Sequence, residues 1–202
     1  MSATLNISVP ESVVVHFEPS KLRMNNEEFF EFCQLNPELR IERTSEGDII
    51  VMAPTGGKTG RQNAKPIARV TNWAEQDGTG QVFDSSTVFS LPKGGDRSPD
   101  VSWVRNERWN ALSAREQEQF PPLCPDFVVE LRSRTDSLKG LQEKMAEYIG
   151  NGAEIGWLID PRERKVHIFR SGVNPEVLEN PREVSGEPML KGFVLDVQAL
   201  WD

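Results

Sequence analysis

Cysteine and histidine are scarce in this 202-residue chain, and several chemistries go with them. Cys33 and Cys124 stand alone, outside any CxxC or Cys/His cluster, which excludes a sequence-evident zinc site or disulfide scaffold and predicts free thiols packed as small core residues. The two histidines, His16 and His167, are too far apart in sequence to suggest a catalytic or zinc pair. Long hydrophobic runs are missing too: a stretch such as Ile155 to Ile159 falls far short of the roughly 20 residues of a membrane span. The N-terminus has no basic segment followed by an apolar one, so the expectation is a cytoplasmic protein with no membrane partner. Basic charge is also in short supply. Lysine and arginine number 23 against 31 acidic residues, a net charge of −8, whereas a nucleic-acid binder normally carries a basic footprint. A surplus of carboxylates is compatible instead with a site that borrows its positive charge from a divalent cation.

The remaining composition, 37% hydrophobic and 27% charged, suits a globular α/β protein. Residues 1–20, with Pro10 and Pro19, read as an N-terminal arm or edge strand, and 21–202 as one domain. Asn25 to Leu35 has a helical pattern capped by Asn25 or Asn26, and Pro37 stops it. A hairpin follows, Leu39 to Thr44 and Asp48 to Ala53, then a plain Gly-rich loop from Pro54 to Gly60. A helix over Arg61 to Gln76 would turn Ala64, Ile67, Val70 and Ala74 inward, with Pro66 delaying its start or bending it. Strands are expected at Gln81 to Phe83, Thr87 to Leu91 and Asp100 to Val104, and a helical insert at Asn106 to Phe120. The clearest strand is Asp126 to Arg132. It precedes a helix from Leu138 to Ile149, a hairpin of Ile155 to Asp160 with Lys165 to Arg170, and short strands with a terminal turn over 173–202.

Two carboxylates at the ends of apolar strands call for a reason, because an ionised group taken into a core costs several kcal/mol unless it is paired or holds a metal. Asp100 opens a buried-looking strand after Pro99, and Glu130 interrupts the apolar run Phe127 to Leu131. Strand alternation sends Arg132, two residues on, to the same face as Glu130, a (D/E)xK arrangement with arginine in the lysine position. A solvated strand face and a turn residue after proline would explain the same two acids without chemistry.

The blocks Ser98-Pro99-Asp100, Pro125-Asp126-Phe127-Val128-Val129-Glu130-Leu131-Arg132-Ser133, Lys144 with Tyr148, and Gly156-Trp157-Leu158-Ile159-Asp160-Pro161, in that order, resemble the Uma2 family over roughly residues 20–200. That family is mostly bacterial, above all cyanobacterial. The resemblance implies a restriction-endonuclease-like α/β core, a mixed central β-sheet flanked by helices, of the PD-(D/E)xK nuclease superfamily. It further implies Asp100 and Glu130 as ligands of Mg²⁺, with Mn²⁺ as its substitute, and Glu42 as an acidic neighbour on the first strand. The lysine of the motif would be displaced onto the following helix as Lys144, whose stem packs on the flank of the stripe formed by Leu138, Leu141, Met145, Tyr148 and Ile149. Arg132, permanently charged, would contact substrate or serve structure. The chain departs from the family pattern at Arg134, where proline commonly follows the serine, and lacks a histidine many members carry after the second strand.

Lys58, Arg61, Lys65 and Arg69 offer the best candidate phosphate-contacting row, the last three at helical i, i+4, i+8 spacing. A solvated helix face would read the same way. Trp103, Trp109, Trp157 and Trp201 are expected in the core or an interface, because no basic cluster surrounds them to make a base-stacking platform. The function expected is Mg²⁺-dependent hydrolysis of nucleic-acid phosphodiester bonds, DNA before RNA, with a homodimer compatible with such folds. The alternative is the same fold retained as a binding or assembly module without catalysis.

Overall fold

In the computed structural model, residues 13–15 and 24–201 are described. The arm expected over 1–20 therefore lies outside the described residues except for Val13–Val15 (β1), which pairs antiparallel at the edge of the first sheet. Helix α1 (Asn26–Gln34) starts on a reciprocal capping box, Asn25 accepting from the Glu28 backbone and Glu28 accepting from the Asn25 backbone. The hairpin β2 (Arg40–Arg43) and β3 (Ile49–Met52) follows.

Helix α2 (Gly57–Asp77) begins one turn before the expected Arg61, so the supposed loop is partly helical. It continues unbroken through Pro66, and its buried stripe is Gln62, Pro66, Val70 and Ala74, whereas Ala64 is exposed. The stripe is displaced because the helix docks on the C-terminal 3-10 turn Gln198–Leu200, where Gln62 Nε2 donates to Leu200 O at 2.6 Å and so satisfies a buried amide.

Next come β4 (Gly80–Asp84), β5 (Phe89–Ser90), β6 (Asp96–Arg97) and β7 (Val101–Arg105). The expected strand from Thr87 is cut to two residues and pairs with β6, which the sequence reading passed over. The single helical insert proves to be two short helices, α3 (Asn106–Asn110) and α4 (Ala114–Glu118), because Ser113 and Glu116 form a second capping box that restarts the chain. Then follow β8 (Phe127–Leu131), α5 (Leu138–Gly150), β9 (Ile155–Asp160), β10 (Lys165–Arg170), β11 (Glu176–Glu179), β12 (Glu183–Ser185) and β13 (Val194–Asp196).

The architecture is mixed α/β. One sheet has the order β1-β3-β2-β6-β5, a six-stranded sheet has β11-β10-β9-β8-β7-β4, and β12 pairs with β13. In the six-stranded sheet only β8 and β9 run parallel, joined by α5 as their crossover. The two faces of that sheet are sorted by residue parity. Phe127, Val129, Val101, Trp103 and Trp157 pack with Val70 and Ala74 of α2 and with the C-terminal segment, while Val128, Val104 and Leu158 pack with Met145 and Tyr148 of α5. Gly156 permits the close approach of α5 to β9, since a β-carbon there would lie 2.3 Å from the Met145 methyl. Even-numbered residues of β8 thus face α5, and that parity determines what Glu130 meets.

Candidate active site

Antiparallel pairing of β7 with β8 sets Val101 across from Val129 and Ser102 across from Val128. Continuing the register one residue beyond the end of β7 sets Asp100 across from Glu130, where directly opposed residues approach to about 5 Å between β-carbons. The half-buried Asp100 is held from two sides: Leu131 N–H donates to Oδ2 at 2.9 Å and Asn63 Nδ2 of α2 donates to Oδ1 at 3.1 Å.

Glu130 is 5% exposed and meets two residues one helical turn apart on α5. Tyr148 donates its hydroxyl to Oε1 at 3.0 Å, and Lys144 Nζ stands 2.9 Å from the same oxygen. That amine also donates to Glu42 Oε1 at 2.8 Å. Glu42, buried on β2, accepts in addition from Ser98 N–H at 3.0 Å and pairs with Arg97 at 3.1 Å. Arg97 in turn bonds Glu147 of α5 at 2.7 Å. Lys144 therefore joins a strand of one sheet to a strand of the other.

Four carboxylates, Glu42, Asp100, Glu130 and Glu147, face three cations, Lys144 and Arg97 in direct ion pairs and Arg40 acting on Asp100 from farther off, so the cluster is short of positive charge. The electrostatics divide accordingly. Burial pushes the Glu130 carboxyl up to about 7 from 4.5 against the pull of Lys144, and the negative charges of Asp100 and Glu42 add to the rise. Burial also raises Asp100, opposed by its hydrogen bond from Leu131 N–H. For Glu42 burial is outweighed by Lys144 and Arg97, and its carboxyl stays below the usual range. Lys144 is likewise buried, yet Glu130 and Glu42 hold it protonated above its ordinary value. Burial and the neighbouring Glu130 keep the Tyr148 hydroxyl protonated.

The structure brings Asp100, Glu130, Lys144 and Glu42 together. Arg132 it takes elsewhere: Nη1 pairs with buried Asp160 at 2.6 Å and Nε donates to Asp136 O at 3.2 Å, so the cation beside Glu130 is Lys144. Lys58, Arg61 and Arg69 are exposed on α2, and the Lys65 amine donates to Ala199 O rather than joining the acidic cluster. Sequence reasoning missed Arg97, Glu147 and Asn63. Arg97 lay two residues before Pro99 and could have been suspected from that adjacency, whereas Asn63 sits in a helix with no local signal pointing at Asp100.

Among the described residues, no group of three or more His, Cys, Asp or Glu is arranged to hold a metal ion, and no helix is long and apolar enough to cross a membrane. No curated protein matches the chain. Among solved structures, a crystal structure described as "a putative nuclease belonging to DUF820", from Anabaena variabilis ATCC 29413, superposes with a TM-score of 0.73 at 19% identity, covering 89% of this chain and 98% of that one. A likeness at that identity speaks for the fold. The family model described as "Uma2: Putative restriction endonuclease" matches residues 26–198, most of the chain, and the protein belongs to that family.

Proposed function

We propose that the protein is a divalent-metal-dependent endonuclease that hydrolyses phosphodiester bonds of nucleic acid, DNA in preference to RNA, in the cytoplasm. The observation that carries this reading is the Lys144 amine, 2.9 Å from Glu130 and 2.8 Å from Glu42, beside an Asp100 carboxylate held, among the described residues, only by neutral donors, Asn63 and the Leu131 amide. Asp100 and Glu130 fit Mg²⁺ or Mn²⁺. Mg²⁺ is satisfied by one or two carboxylates and keeps several waters, so a cage of three protein ligands is not required. Glu42 is committed to Lys144, Arg97 and Ser98 N–H, which leaves the opposed pair as the donors.

When bound, the ion supplies Lewis acidity toward the phosphate oxygens and a more acidic water. The chain's own groups do the remainder. Lys144, held protonated, is a donor and not a base, and it stabilises negative charge developing on the scissile phosphate or orients the attacking water. Glu42 fixes the amine in place, and Arg97 fixes Glu42 from behind. Tyr148 restrains the Glu130 carboxylate, while Asn63 and the Leu131 amide restrain that of Asp100. Arg132 is assigned to the substrate side of the site, and Lys58, Arg61 and Arg69 to outlying phosphates.

A net charge of −8 favours a second reading, a nuclease fold kept as a binding module. A cleavage screen of the purified protein over single- and double-stranded DNA and RNA with Mg²⁺ or Mn²⁺ separates the two. Divalent-dependent cutting that Glu130→Ala abolishes supports the enzyme, and no cutting of any substrate supports the module.

A further inference from the structure

Beside the site, over the same face of the six-stranded sheet, lies a cleft of about 520 Å³ between the start of α5 and the strands β9, β10 and β11. Its position follows from register. Leu158, which faces α5, pairs with His167 and lies beside Glu130; Asp160 pairs with Lys165; His167 pairs with Val177. All of these therefore point to the side that Glu130 occupies. Arg132 forms the wall nearest the site, two residues beyond Glu130, roughly 7 Å along the strand.

The chemistry of the lining selects a ligand. Arg132 is matched by Asp160 at 2.6 Å and Lys165 by Glu179 at 3.3 Å, while Glu163 adds one further negative charge. There is no surplus positive charge for a phosphate. Leu138 and Val177 contribute apolar surface, and Val177 is 45% exposed at the outer edge of the cleft. His167, 7% exposed, has a buried Nε2 with no hydrogen-bond partner. Buried polar atoms of that kind are rare in native proteins. Burial lowers the imidazole's pKa, so at neutral pH the ring is uncharged, with one donor and one acceptor nitrogen, and a small shift of the ring would bring the closed-off Nε2 to the cleft. A flat, neutral, heteroaromatic ligand with a hydrogen-bonding edge fits these conditions, and the volume falls in the ~300–1,000 Å³ range of small-molecule sites.

We propose that this cleft receives an unstacked nucleobase of the substrate strand, with Leu138 and Val177 against its faces and His167 and Arg132 at its edge. The inference rests on the nuclease reading and narrows it. A base can enter only from a single strand or from an extrahelical nucleotide, so the substrate class is unpaired nucleic acid rather than a fully stacked duplex. The short distance from Arg132 to Glu130 places the phosphate next to that base at the acidic pair.

The test is the fluorescence of a short single-stranded DNA carrying one 2-aminopurine, titrated with the full-length protein in EDTA, followed by cleavage of the same strand in Mg²⁺. Two variants accompany the wild type: Val177→Trp, which fills the cleft from an exposed edge position, and His167→Leu. The expected result is a fluorescence change with wild type and binding at least about tenfold weaker in both variants, comparable to losing the contacts of one base. Thermal melts confirm folding. Binding and cutting by Val177→Trp equal to wild type would overturn the cleft assignment while leaving the nuclease reading in place. Absence of any fluorescence response from the wild type would overturn it as well, and Mg²⁺-dependent cleavage with its Glu130→Ala control then reports separately on the nuclease reading.

Discussion

Glu130 is caught between a desolvating core and a cation 2.9 Å away, and the balance leaves its carboxyl near 7 instead of 4.5. Between those two pH values the folded chain binds a proton that the unfolded chain has released, so the metal-free protein loses stability as pH rises through that window. The penalty is of order 3 kcal/mol above pH 7. Glu130→Gln cannot ionise. Denaturant titrations in chelator should show the wild type weakening from pH 5 to pH 8 and the variant holding level; parallel curves would contradict this assignment. Glu42 has the opposite sign. Its lowered carboxyl contributes stability at neutral pH that disappears as the solution is acidified through its folded value. Lys144 connects the two acids, and Lys144→Met leaves both without it. Breaking a buried pair costs about 3–5 kcal/mol, and removing one donor to a developing oxyanion typically costs about 10²–10³ in kcat. Denaturation and single-turnover cleavage measure the two effects separately, and a Lys144→Met protein that cuts at the wild-type rate would remove Lys144 from the chemistry.

At the scale of elements, the site depends on how closely α5 lies on the sheet, because one helix delivers Lys144, Glu147 and Tyr148. Gly156 sets that spacing. An added β-carbon meets the flexible tip of Met145 at 2.3 Å and Val128 Cγ2 at 3.2 Å. Met145 can swing aside for one methyl, so Gly156→Ala should be mild, whereas Gly156→Val should cost roughly 1–3 kcal/mol and reduce cleavage by lifting the helix. Melting curves of the two variants, ranked alongside their activities, check this order. The elements also show what was legible beforehand. Alternation along β8 sufficed to put Glu130 with Val128 on the α5 face, because a strand's period of two leaves no freedom of face, whereas the strand expected from Asp100 begins one residue later, at Val101. Lys144 came from a family resemblance, since a lysine flanking an apolar stripe is an everyday feature of helices. Asn63 was invisible for a different reason, since its partner lies 37 residues away and no local pattern encodes a contact between α2 and a strand end; Arg97 stood close to Pro99, but its partner Glu42, 55 residues away on the other sheet, could not be read from that adjacency. The early start of α2 was missed because its N-cap is a glycine without a capping side chain.

For the whole molecule, acidity and a nuclease fold belong together only if the bound metal replaces basic side chains at the scissile phosphate. On that reading, at a net charge of −8, few phosphates need be contacted by protein cations. The logarithm of substrate affinity plotted against the logarithm of salt concentration should then have a shallow slope, of magnitude about 3 or less, where a basic protein making 6–10 phosphate contacts shows about 5–9. A steep slope would mean that the exposed row Lys58, Arg61 and Arg69 carries more of the binding than the acidic pair allows.

Calorimetric titration of the purified protein with Mn²⁺ is the most direct measurement. A shared ion between Asp100 and Glu130 predicts one saturable site that Asp100→Ala and Glu130→Ala each eliminate, with both variants still folded by circular dichroism. Binding that survives both substitutions unchanged, or no binding by the wild type, would contradict it.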